Sequence, residues 1–356
     1  MTAVKKQDLE KELETLGLHE MPEPEKGYTR KKTSRDNFIY CTHKGKKLAD
    51  KLSQRLQELA IPPSYKNVWY SPDPDSYILA TGEDSTGKKQ YIYHPAWRKW
   101  RDQHKFDNLA HLAENLPALR RHVTRHLKDR DDSIHFLLAT MTKLLDMTGM
   151  RVGNPISAKK NGTYGLTTLK SRHIETEANG LYLHYHGKGG VEIKRKISNA
   201  KFCELLQDHM ESPGKELFTY LCSHDKTRKS VSPEMLNRFI KSCIGAEFSA
   251  KDLRTWRFSV LFFEEALRQH KRAAKDEHIP LKTILEKVAE KTGNTPAILQ
   301  QSYIHPGLIQ IAKEEEWDVL PRLRGKIPKG LRQSEFLFAK YLKSKHAQAA
   351  TSAMNI

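Results

Sequence analysis

Residues 293–308 read GNTPAILQQSYIHPGL, and the pattern delivers one tyrosine, Tyr303, to one fixed place. Thr295 followed by Pro296 is a helix start: the hydroxyl caps free N–H groups, and the fixed φ of proline suits the first helical position. The helix has to stop before Pro306, because the residue ahead of a proline is pushed away from the helical region. Tyr303 is therefore expected at the end of a pinned two-turn helix. Most tyrosines in such places are packing residues whose hydroxyl finds a partner. The other reading is a nucleophile. A tyrosine that attacks a phosphodiester needs cations around the phosphorus, and candidates stand upstream at Arg151, Lys188 and Arg254.

Outward from this stretch the chain is mostly helical. IPLKTILEKVAEKTGN leads into it. Ala250 to Trp256 (AKDLRTW) opens a long apolar helix continuing as RFSVLFFEEALRQ, and Ser232-Pro233 starts another. Lys251, in the first turn of the long helix, is a candidate DNA contact. Further upstream YGLTTL, LYLHYHG and VEIKRKI read as strands, the last two joined by Gly187-Lys188-Gly189-Gly190, which puts Lys188 on a hairpin tip. Most lysines in turns are simply solvated, but a mobile hairpin can also swing an ammonium into a site after a ligand binds. Arg151-Val152-Gly153-Asn154 follows the helical run SIHFLLATMTKLLDMTGM, where a glycine turn lets the backbone approach a ligand, although a helix-end arginine is more often a surface cap.

Before residue 105 the pattern changes. Residues 7–18 carry Leu9, Leu13 and Leu16 at helical spacing, and 21–36, MPEPEKGYTRKKTSRD, read as a flexible basic arm or solvated linker. A helix is expected from about Lys46 to Leu59. NVWY, SYILAT and KQYIYH are then short aromatic and β-branched runs separated by turn residues, which describes a small antiparallel sheet. Tyr91 and Tyr93 share a face of the last strand by its period of two. They are a packed aromatic face or, with Gln90, a strand that reads base edges in a major groove.

The 356 residues carry 61 Lys plus Arg against 43 Asp plus Glu, a formal charge of +18, with 38% hydrophobic and 29% charged residues. This is a folded protein suited to a polyanionic partner, nucleic acid or an acidic membrane surface. Cys41, Cys203, Cys222 and Cys243 form no CxxC pair, so reduced thiols in an intracellular protein are expected. No run has the length of a membrane span, and the first residues lack a signal-peptide core. No Walker-type glycine loop and no carboxylate cluster stand in the sequence, so neither ATP nor a divalent metal is expected as cofactor.

From about Ile61 to Leu342 the sequence resembles the type IB DNA topoisomerases of the small bacterial and poxvirus-like kind. The matching pieces are IPPSYKNVW, ATGEDSTGKKQYIYHPAWR, RVGN followed by TYGLTTL, HGKGG, AKDLRTW and GNTPAILQQSYIHP, in the family's order and at its usual separations. The resemblance implies that Arg151, Lys188 and Arg254 are catalytic cations, Asn294 a fourth polar group and Tyr303 the nucleophile. It implies that Gln90, Tyr91 and Tyr93 face the major groove of double-stranded DNA. It also implies an α+β fold: a small β-rich N-terminal domain and a larger, mainly helical catalytic domain with a β-hairpin, closing as a C-shaped clamp and acting as a monomer. Residues 1–36 are then a charged extension, 37–104 the β-rich domain, 105–316 the catalytic domain and 317–356 a basic extension. The expected activity is ATP-independent relaxation of supercoiled DNA through a 3′-phosphotyrosyl intermediate, in a bacterial cytoplasm or nucleoid or in a viral setting. Pro155 after RVGN and Arg257-Phe258 after RTW depart from the family pattern and bear on the fit of the two arginines. Tyrosine recombinases share the catalytic logic, but many carry histidine where Lys251 stands; a basic DNA-binding protein without chemistry is the other alternative.

Overall fold

The computed structural model describes residues 3–33, 37–128, 134–178, 180–210, 216–222, 224–273, 278–317 and 326–344. The chain divides into two compact units, residues 1–105 and 106–356. Helices are combined with antiparallel sheets in both units, an α+β arrangement.

The first unit comprises α1 (Ala3–Thr15), β1 (Tyr28–Lys32), β2 (Phe38–Thr42), α2 (Asp50–Glu58), β3 (Lys66–Tyr70), β4 (Ile78–Glu83), β5 (Lys89–Tyr93) and α3 (Pro95–His104). Its sheet is antiparallel in the order β2-β1-β3-β4-β5. Tyr70, Ala80 and Ile92 are cross-strand partners on the inner face, packed with Tyr40, Val68, Leu56 and Ile61. Leu13 and Leu18 pack with Trp97 in a second cluster, which ties the amphipathic N-terminal helix to this unit.

The arm expected over 21–36 is corrected here, apart from 34–36, which lie outside the described residues. β1 is an internal strand paired on both sides, so the sheet begins before residue 37. Arg30 accounts for the misreading. Its charge suggested solvent, yet its guanidinium donates to the carbonyls of Ile61 (2.9 Å) and Pro62 (2.5 Å) and lies 4.1 Å from the Phe38 ring centroid.

The second unit comprises α4 (Leu109–Lys128), α5 (Ile134–Thr148), α6 (Pro155–Asn161), β6 (Ile174–Glu177), β7 (Gly180–His186), β8 (Glu192–Ile197), α7 (Ala200–Met210), β9 (Thr219–Leu221), β10 (Arg228–Ser230), α8 (Pro233–Ile244), α9 (Ala250–Arg272), α10 (Leu281–Thr292), α11 (Pro296–Ser302), α12 (Pro306–Glu314) and α13 (Gln333–Leu342). β7 and β8 form the expected hairpin, with β6 on the outer side of β7. At the centre of the helical core lies α9, whose Trp256, Phe258, Val260, Phe262 and Phe263 are all fully buried. Burying such side chains contributes about 1.5–3 kcal/mol each.

Two expectations are revised. YGLTTL is not a strand but a tight turn over Leu166–Thr168, because its backbone pairs with the loop after α5. The N–H groups of Leu166 and Thr167 donate to the carbonyls of Arg151 (2.8 Å) and Val152 (2.7 Å), the Thr167 hydroxyl donates to the same Val152 carbonyl, and the Thr168 hydroxyl bonds locally to Gly165 instead of favouring a ladder. The C-terminal segment was set apart as an extension, yet α13 belongs to this core. Phe338 and Tyr341 are buried against α9 and the loop before α12, with Phe338 5.1 Å from Trp256 between ring centroids.

Candidate active site

Tyr303 arrives as its local sequence requires. The Thr295 hydroxyl accepts from the Ile298 N–H (3.2 Å), Pro296 opens α11, and Tyr303 caps its C-terminal end. Ser259 of α9 then locks the segment: its hydroxyl donates to the Tyr303 carbonyl (2.8 Å) and accepts from the His305 N–H (3.1 Å). The Tyr303 ring meets Phe258 edge to face at 5.1 Å.

Arg254 projects from the first turns of α9 and is only 6% exposed. One guanidinium nitrogen donates to the Gly149 carbonyl, the second to Asn294 Oδ1 (3.3 Å), and its Cζ lies 4.8 Å from the Tyr303 ring centroid. Arg151 reaches the same Asn294 oxygen at 3.3 Å. Its loop is held close to the turn at 166–168, where a Cβ on Gly165 would meet the Arg151 carbonyl at 2.6 Å; only glycine fits. Asn294, the fourth polar group that the resemblance implies, accepts through its side-chain oxygen from both guanidiniums while its amide nitrogen donates to the Thr292 carbonyl (3.1 Å), so it yokes the two arginines together.

Electrostatics follows from this packing. Burial pushes the Tyr303 phenol up, but Arg254 and then Arg151 outweigh it by charge and hydrogen bonding, and the phenol lies below its usual range. Burial lowers Arg254; Tyr303 offsets part of this, and like-charge repulsion from Arg151 and Arg195 adds to it. Arg254 Nε is a buried donor without a partner. No carboxylate among the described residues pairs with either guanidinium, so the buried Arg254 and the half-buried Arg151 present positive charge and an unused donor to whatever enters beside Tyr303.

The structure thus brings Tyr303, Arg151, Arg254 and Asn294 together. It does not bring Lys188 to them: Gly187 lines the cleft formed with Arg151, Arg254, Tyr185 and Arg195, whereas Lys188 is exposed on the tip between β7 and β8. Lys251 is exposed one turn before Arg254. In the first unit, Tyr91 and Tyr93 stack at 6.1 Å, with Tyr91 in register with Thr81 and Trp69, opposite the core. Gln90 points the other way by strand alternation and donates to Asp84 Oδ2 (2.7 Å).

Both departures from the family pattern are accommodated. Pro155 takes the first position of α6, capped by Asn154, whose Oδ1 accepts from Ile156 (2.8 Å) and Ser157 (3.3 Å). Phe258 is fully buried, with Arg254 Cζ 4.4 Å from its ring centroid, so it backs both the arginine and the tyrosine. Arg257 turns away and donates to the Met147 carbonyl (3.1 Å). Sequence reasoning missed Ser259 and Arg195. A serine at 259 inside an apolar run, and an arginine in phase with Ile193 and Ile197 on an alternating strand, were the available signals.

Known proteins resemble this chain over most of its length. Residues 94–316 match the family model for the eukaryotic DNA topoisomerase I catalytic core, and 37–84 that for the bacterial DNA topoisomerase IB N-terminal domain. The chain is 28% identical over 286 residues to DNA topoisomerase 1B of Acanthamoeba polyphaga mimivirus, covering 78% of this chain and 85% of the viral one. It is 24% identical over 276 residues to DNA topoisomerase 1B of vaccinia virus, strain Copenhagen, covering 74% and 82%. The catalytic-core match alone spans more than half of the sequence and contains every element that carries the arginines and the tyrosine, and the chain belongs to the type IB DNA topoisomerase family.

Proposed function

We propose that this chain relaxes supercoiled double-stranded DNA by moving one strand onto Tyr303 and back. The observation that carries this reading is the pair of guanidiniums, Arg151 and Arg254, held around one tyrosine with no carboxylate among the described residues to balance them and with Arg254 Nε unused. A phosphodiester supplies the missing anion, and a preorganised pair of donors stabilises charge that develops on its non-bridging oxygens.

The Tyr303 oxygen attacks phosphorus in line, gives its proton to solvent as the O–P bond forms, and leaves a 3′-phosphotyrosyl ester. The bond to the 5′-oxygen breaks, and Lys188 delivers the proton to that leaving group once the hairpin tip closes on bound DNA. Rotation of the free 5′ end removes supercoils. The 5′-hydroxyl then attacks the ester, returning its proton to Lys188 and the strand to DNA, while the departing Tyr303 oxygen, held by Arg254 and Arg151, takes a proton back from solvent. Ester exchange conserves the bond energy, so ATP is not consumed, and the guanidiniums take the place of a divalent metal at phosphorus. Tyr91 and Tyr93 face the major groove, and Gln90, which leaves the opposite side of this edge strand, reaches round to it only after release from Asp84; Lys251 contacts the backbone; the two units close around the duplex as a monomeric clamp. The protein works where duplex DNA is kept, in a bacterial nucleoid or a viral replication site; among the described residues no helix is long and apolar enough to cross a membrane.

Supercoiled plasmid incubated with the protein in EDTA and without ATP is expected to give a ladder of relaxed topoisomers. An unchanged linking number, or strict dependence on magnesium, overturns the proposal.

A further inference from the structure

Arg195 occupies a position on β8 where the alternation calls for an apolar side chain. Its register partner is Leu183, fully buried, and Ile193 and Ile197 in the same phase are buried too. An arginine on the inner face of a sheet is costly unless its donors are used. Here they are used on the ends of two helices. One nitrogen donates to the carbonyl of Thr148, the last residue of α5, and the other to that of Lys291, next to last in α10, at 3.0 Å. A cation at the C-terminal end of a helix also meets the negative end of its dipole, and here one guanidinium serves two helices.

Those two ends carry the site. α5 runs through Gly149 and Met150 into Arg151, and α10 runs through Gly293 into Asn294. β8 itself is the return strand of the hairpin that presents Lys188. Contact between hairpin and turn is tight as well: a Cβ on Gly293 would meet Ile193 Cγ1 at 2.8 Å. Arg195 also lines the same cleft as Arg151 and Arg254. We propose that Arg195 is a positioning residue, fixing the Arg151 loop and the Asn294 turn against the Lys188 hairpin so that the cations meet the phosphate in one geometry. The proposal rests on the reading of the site as one that cleaves DNA through Tyr303.

Lysine in this place has a single point charge and reaches one carbonyl at a time, whereas methionine keeps the apolar stem and gives up both bonds. The test is single-turnover formation of the covalent adduct on a duplex whose cleaved end dissociates, measured with DNA affinity and thermal midpoint. Arg195→Met is expected to bind DNA within about threefold of the parent and to form adduct about 10- to 100-fold more slowly, since small misplacements of a catalytic group cost up to about a hundredfold. Arg195→Lys is expected to fall between. Because the residue acts through its neighbours, the slowing factor shrinks in an Arg151→Ala or Asn294→Ala background, whereas a residue that only supports the fold slows all backgrounds alike. Equal factors in the three backgrounds, or an Arg195→Met protein that cleaves within about threefold of the parent, overturn the proposal. If the methionine variant does not fold, the same comparison is made with Arg195→Lys. Absence of any adduct at Tyr303 in the parent protein is a separate result, and it strikes the reading of the site itself.

Discussion

Replacing Arg120 by methionine removes the cation at the centre of a buried charge cluster that ties α13 to the helices behind the site. Arg120 donates to Asp146 at 2.8 and 2.7 Å and to Glu335 at 2.8 and 2.7 Å, joining α4, α5 and α13. Glu335 is fully buried and also faces the indole N–H of Trp256, at 3.4 Å, two residues before the Phe258 that backs Tyr303. Burial alone would raise the Glu335 carboxyl, but Arg120 and then Arg332 hold it down at about 2. Removing one partner of such a cluster leaves buried carboxylates uncompensated and costs about 3–5 kcal/mol near neutral pH. The sign of the pH dependence follows. A carboxyl depressed from 4.5 to about 2 stabilises the fold fully above its unfolded value, and that contribution, roughly 3 kcal/mol, is lost as pH falls toward 2. The variant keeps Arg332 but loses the larger part of this depression, which Arg120 supplies, so its deficit against the parent shrinks on acidification. Denaturant unfolding followed by far-UV circular dichroism near pH 7 and near pH 3, with hydrogen exchange over residues 333–342, reads both effects. Parent-like stability at neutral pH, or a deficit of the same size at both pH values, refutes the reasoning.

Two further outcomes concern the DNA chemistry. Lys188→Ala slows cleavage of an ordinary substrate by about a hundredfold to ten-thousandfold, and recovers most of that loss when the bridging 5′-oxygen is replaced by sulfur, a leaving group that needs no proton, while Arg254→Ala does not. A lysine variant equally slow on the sulfur substrate makes Lys188 a charge stabiliser or DNA contact, with Lys251 the next candidate for the acid. The excess charge of +18 predicts that apparent DNA affinity falls by about a thousandfold or more between roughly 50 and 200 mM salt, and a flat response in a binding titration would place the charge away from the DNA surface.

Where local chemistry decides the structure, the sequence was readable. Thr295-Pro296 and Pro306 bracket Tyr303 by capping and by steric exclusion, both properties of neighbouring residues, and α11 forms within those bounds. Gly187 to Gly190 likewise supply the turn between β7 and β8 that carries Lys188. Tertiary partners decide the rest. Arg30 makes β1 an internal strand through carbonyls of a loop some thirty residues later, and charge alone reads as solvent. Threonines at 167 and 168 favour strands in general, yet here their hydroxyls and N–H groups are taken by the Arg151 loop and by Gly165. Asn294 was legible as a polar member of the site, but its role as acceptor from two arginines depends on side chains from α9 and from the loop after α5 converging on one oxygen. α13 was visible as a helix, while its place in the core depends on Phe338 and Tyr341 finding Trp256 and His305.

The central claim is that Tyr303 is the nucleophile, and trapping the covalent protein–DNA adduct followed by peptide mapping tests it most directly. The parent protein is expected to carry the nucleotide on Tyr303, and Tyr303→Phe, which keeps the ring against Phe258 and removes only the oxygen, is expected to bind DNA normally and form no adduct. An adduct mapped to another tyrosine, such as Tyr164 or the buried Tyr185, or an undiminished adduct in Tyr303→Phe, contradicts the account.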